Sequence, residues 1–162
     1  MVGKEAFASE ETLAVAAELN ARDVSILGQE ACVCSRFTFL EADAEQGDRY
    51  AKVLAERLRI DRMGEGDPRP LDMELKEQID VLRMMDDEYG VFGKSDGRGV
   101  AIRSDEPVDF HPLRKTSNVV CVPDPGRRQQ GSKHGGVQAL VKPLRQTLHL
   151  GRAPRPQQKL NK

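Results

Sequence analysis

Aromatic residues are scarce in this chain: 4% of 162 residues, with no tryptophan and none at all after Phe110. That absence removes any stacking platform for single-stranded bases from the last third of the sequence. Cysteine is scarce too. Cys32, Cys34 and Cys121 make an odd, small set, which argues against a disulfide-stapled secreted domain. No apolar run approaches 18 residues, so no membrane-spanning helix is expected. Hydrophobic residues make up 38% of the chain, and the shortage is concentrated at its C-terminus. The opening Met1-Val2-Gly3-Lys4 turns acidic without an apolar stretch, and the expectation is a soluble, reduced protein inside the cell, cytoplasmic or cytoskeletal.

What is present is charge, unevenly spread. Residues 1–110 carry 14 Lys+Arg and 25 Asp+Glu, a net of −11; residues 111–162 carry 11 Lys+Arg and the single acid Asp124, a net of +10. The two nearly cancel to the overall −1. Such asymmetry points the basic part at an acidic partner, or back at the acidic front of the same chain.

Three helices are predicted in the front. The first starts at Ser9, a good N-cap followed by Glu10 and Glu11 in the first turn. Leu13, Ala16, Ala17, Val24 and Leu27 share a face that Asn20 interrupts. The second runs from about Asp48 to Ile60 on Tyr50, Leu54 and Leu58. The third follows Pro70, with Leu71, Leu75, Ile79, Leu82, Met85 and Tyr89 inward, Asp72, Glu74, Glu77 and Asp80 outward, and Gly90 as the stop. The expected fold is mainly α: two or three short helices in an acidic region 1–90, a glycine-rich linker 91–110, and a long irregular basic arm 111–162 with a short helix at 137–150. A small α+β unit using strands near 32–40, 100–102 and 118–122 is the alternative.

Chemistry-bearing motifs are weak. Gly93-Lys94-Ser95 has the order that closes a phosphate loop, but Glu88 stands where the leading glycine is required. Cys32 and Cys34 form a C-x-C pair, whose only further partners are Cys121 and the scattered histidines His111, His134 and His149, a poor zinc pattern. Cys121 with His111 or His134 has no nucleophile signature around it. No catalytic, cofactor-binding or metal-binding residue is expected, and no small-molecule substrate or membrane partner.

The arm carries the functional expectation. Arg114, Lys115, Arg127, Arg128, Lys142 and Arg145 are the expected electrostatic contacts, and Leu140, Leu144 and Leu148 the apolar pegs. Pegs set among cations suit a segment that orders on a protein partner. The predicted role is a non-enzymatic structural subunit of a large intracellular assembly, its arm stapling an acidic protein surface such as a microtubule lattice. The alternative is a ribosome-like ribonucleoprotein subunit whose arm meets RNA backbone.

Overall fold

The computed structural model describes residues 1–29, 32–63, 70–105 and 115–122. Three helices and a four-stranded sheet form within them: α1 (Glu10–Ser25), β1 (Phe37–Leu40), α2 (Ala44–Leu58), α3 (Met73–Met84), β2 (Gly90–Gly93), β3 (Val100–Ser104) and β4 (Thr116–Cys121). The sheet order is β1-β4-β3-β2. β4 runs parallel to both of its neighbours, and β2 closes the far edge antiparallel to β3. The mainly α expectation is therefore corrected. The molecule is α+β, as the alternative reading had it, and three of its strands fall near 32–40, 100–102 and 118–122.

The helices form where their caps and stripes dictate. Ser9 accepts from the Thr12 amide, and Thr12 Oγ1 accepts from the Ser9 amide, closing a reciprocal capping box. Asp43 caps α2 in the same way with Gln46, so this helix begins before Asp48. Asp72 caps α3 through the Leu75 amide at 2.9 Å.

α1 and α2 cover one face of the sheet. Leu13, Ala17, Val24, Leu54 and Leu58 pack there with Leu40, Ala101 and Val119. α3 covers the other face, setting Leu71, Leu75, Ile79 and Leu82 against Val100 and Ile102. Each fully buried Leu or Val withdraws apolar surface worth about 1.5–3 kcal/mol. Both faces of β3 are covered, and β3 and β4 are buried on successive residues, without the apolar-polar alternation of a half-exposed strand.

β4 is held at both ends. Beyond α1 the chain turns through Leu27, Gly28 and Gln29, all at positive φ, and delivers the Gln29 side chain to the strand's start. Gln29 Nε2 donates to the Thr116 carbonyl at 2.7 Å, and the Thr116 amide donates back to Oε1 at 3.2 Å. At the other end the Val122 amide donates to the Leu40 carbonyl at 2.7 Å. On the outer side of β1, Val2 adds a single parallel bridge to Leu40.

Candidate functional site

In open sheets with parallel strands, ligands gather at the carboxyl ends of those strands. Here that end holds Leu40, Ser104 and Cys121, with the start of α2 beside them. At the N-terminus of α2 the Gln46 amide donates to the Asp43 carboxylate at 2.9 Å, and Glu45 stands in the first turn, so two carboxylates already oppose an anion at that end. Asp48 takes the Arg103 Nε at 2.7 Å. Burial pushes the Cys121 thiol up to about 11; Arg103 opposes the rise, and Asp105, Asp48 and Asp43 add to it. Such a thiol stays protonated at neutral pH and is no nucleophile. Gly93-Lys94-Ser95 leaves β2 and returns as β3, with no helix behind it to hold a phosphate.

The interior between α1, α2 and the sheet is polar at one point. Asn20 Nδ2 donates to Thr38 Oγ1 at 2.8 Å and to the Tyr50 hydroxyl at 3.1 Å, and Thr38 Oγ1 lies 3.2 Å from Ser117 Oγ. Burial pushes the Tyr50 phenol up to about 12, against the Asn20 hydrogen bond, while Asp23 adds to the rise. Tyr50 and Ser117 are fully buried, and Asn20 and Thr38 nearly so. The cluster fixes how α1 and α2 seat on β1 and β4, and offers nothing to a ligand.

Two helix surfaces stand out among the described residues. On α1, Val15 and Leu19 line an open groove of about 370 Å³ with Glu11, Glu18, Arg22 and Arg57. Its central charge is spent inside the fold. Glu18 binds Arg62 at 2.8 Å and Arg22 at 3.0 Å, and the Arg62 hydrogen bond leads in holding its carboxyl below the usual range despite partial desolvation.

α3 is different. Met73, Glu77, Asp80 and Met84 follow one another at four, three and four residues, the spacing of a single helix stripe. That stripe lies opposite the buried Leu75, Ile79 and Leu82, and Met73 and Met84 are 75% and 82% exposed. Val81 and Met85 are exposed beside it. From Asp72 to Glu88 there are seven carboxylates against Lys76 and Arg83. Among the described residues, Asp80 alone of these makes an ion pair, a loose one to Arg83 at 3.9 Å. Arg83 also donates to the Val91 and Gly93 carbonyls of β2 at 3.3 and 2.6 Å, which blunts that sheet edge against strand addition. The outer face of α3 is thus exposed, acidic and methionine-bearing.

Of the residues expected to contact a partner, Lys115 falls within the described fold. It is 8% exposed at a φ of 54°, and its ammonium meets Asp61 at 3.4 Å. Arg114, Arg127, Arg128, Leu140, Lys142, Leu144, Arg145 and Leu148 lie outside the described residues. The acidic outer face of α3 is evident in the sequence; its methionines are a separate signal, Met73 and Met84 standing eleven residues apart on the helix's outer side. Among the described residues no helix is long and apolar enough to cross a membrane, and no group of three metal-binding side chains forms. No family model matches the chain, and neither a curated protein nor a solved structure is similar to it.

Proposed function

We propose that the chain is a non-enzymatic assembly subunit whose folded domain roots a basic arm on an acidic protein surface. The observation that carries this reading is the division of charge. The described residues hold 14 basic and 20 acidic side chains, net −6, while residues 123–162 hold nine basic and one acidic, net +8. The arm follows directly from β4, which lies between β1 and β3. A pull along that strand loads two ladders in shear at once, and β4 cannot be peeled away as an edge strand can. An arm that ties subunits together needs such a root. The apolar residues Leu140, Leu144 and Leu148 among Lys142 and Arg145 favour a protein surface over a polyanion, because phosphate contacts have no use for pegs.

The test is crosslinking of the full chain in its native lysate, with and without RNase, read by mass spectrometry. Crosslinks from residues 127–148 are expected to survive RNase and to converge on one acidic protein. Leu144→Asp is expected to reduce that capture about tenfold, the effect of losing roughly 1.4 kcal/mol, and more than a rise from 50 to 200 mM salt does. If the partners vanish with RNase, the arm binds RNA and this reading fails.

A further inference from the structure

The acidic face of α3 and the basic arm belong to the same chain, and we propose that the arm's own segment 137–150 docks on α3 when no partner holds it. This rests on reading the arm as a docking segment and names what it occupies before the partner arrives.

Charge complementarity comes first. The span Asp72–Glu88 has seven carboxylates and two cations, net −5. Residues 123–162, 40 in number, carry a net +8. Apolar chemistry matches as well. Met73 and Met84 flank Glu77 and Asp80 along the outer stripe, with Val81 beside them. In the arm, Leu140, Leu144 and Leu148 recur at every fourth residue with Lys142 and Arg145 between them. Thioether side chains adapt to irregular apolar partners at little cost.

Other sites on the domain suit the arm less. The α1 groove binds its charge internally through Glu18, Arg62 and Arg22. The acids at the start of α2 are occupied in part, Asp43 by the helix cap and Asp48 by Arg103. Among the described residues, Asp72 is spent on the α3 cap, Asp80 pairs loosely with Arg83, and the other five carboxylates of this span make no ion pair.

Reach and concentration decide that the contact forms within one chain. Val122 is the last described residue, and Val137 follows fifteen residues later. Fifteen residues can reach at most about 50 Å, more than the roughly 34 Å diameter of a globular domain whose radius of gyration is about 13 Å. A tether of this kind holds its end near the surface at an effective concentration on the order of 1 mM. A contact too weak to hold two separate molecules at micromolar concentration is therefore substantially occupied in cis. An acidic partner must then displace α3 to take the arm, which makes capture a competition and lets weakly acidic surfaces be refused.

Methyl-labelled methionine in the full-length protein reads this directly. The five methionines are Met1, Met63, Met73, Met84 and Met85, and Met63 serves as the internal control. Replacing Leu140 and Leu144 by Asp together is expected to move the Met73 and Met84 methyl resonances and leave Met63 unmoved. Raising salt from 50 to 500 mM is expected to move them in the same direction, as is the charge variant Lys142→Glu with Arg145→Glu. The wild-type positions are expected to be independent of protein concentration between 20 and 500 µM. Met73 and Met84 resonances identical in wild type and both variants overturn the proposal. So does a concentration dependence, which assigns the contact to a second copy. Loss of partner capture with unchanged methionines sinks the intramolecular contact and leaves the assembly reading standing; shifted methionines without an acidic partner do the reverse.

Discussion

Asn20 stands on the apolar stripe of α1, where a leucine would otherwise be expected. It is tolerated because both of its amide hydrogens are placed, one on Thr38 at 2.8 Å and one on Tyr50 at 3.1 Å. The interruption of the stripe is legible in the sequence; the partners are not, since they come from a strand and a helix 18 and 30 residues away. Removing the Tyr50 hydroxyl leaves a buried N–H without a partner, which costs about 1–3 kcal/mol. Tyr50→Phe is therefore expected to be less stable than wild type by that amount at pH 7, in urea unfolding. The difference carries a pH signature. An unfolded tyrosine ionises near pH 10, while burial pushes Tyr50 up to about 12 in the fold. Between those values the unfolded chain has released the proton and the folded chain has kept it, so stability falls as pH rises. Two pH units correspond to about 2–3 kcal/mol. The advantage of wild type over Tyr50→Phe is expected to shrink between pH 10 and pH 12. A gap that stays constant across that window would mean the hydroxyl is not held neutral by burial.

At the scale of elements, α2 shows how closely the layers meet. Gly47 lies in its first turns, and a Cβ built there falls 2.2 Å from Cys121 Sγ and 3.3 Å from Arg103 Cγ. Helix propensity alone favours Gly47→Ala by about 1 kcal/mol. The clash works against it, because α2 has to lift from β4 or the thiol has to move, at a cost of about 1–3 kcal/mol. The net expectation is destabilisation, with the Cys121→Ala background removing most of the penalty. A double-mutant cycle by thermal unfolding measures this, and equal effects of Gly47→Ala in both backgrounds would place the obstacle elsewhere. The helices were largely legible because capping residues and four-residue stripes are local signals. The strands were less so. β1, β2 and β3 have four, four and five residues, too short for periodicity to decide. β4 reads Thr-Ser-Asn-Val-Val-Cys with all six residues buried, so polar side chains stand inside where a sequence pattern places them outside. Asn118 explains how. Its Nδ2 donates to the Ile102 carbonyl and to Ser104 Oγ, both at 2.9 Å, and a tertiary arrangement of that kind leaves no local trace.

Across the whole molecule, the order of the sheet differs from the order of the chain. β4 is the last described element, yet it lies between β1 and β3. The charge asymmetry that pointed to an arm was legible from composition, and so was the acidic front. The seat of β4 within the span 111–162 was not, because a central parallel strand is defined by neighbours about 80 and 16 residues away. The consequence is that the fold is incomplete until residue 122. Without β4, β1 loses its four paired residues and β3 its five parallel ones. Leu40 and Ala101 then lose Val119 from their cluster, and Thr38 loses Ser117. Two shortened chains separate the domain from its arm. A chain ending at Val122 retains every described element and is expected to unfold cooperatively, with far-ultraviolet and near-ultraviolet circular dichroism changing together. A chain ending at Phe110 lacks β4 and is expected to show no cooperative transition, keeping at most part of its helical signal. If the longer of the two also fails to unfold cooperatively, residues 123–162 contribute to the core itself, and the division of the molecule into an acidic domain and a basic arm is wrong.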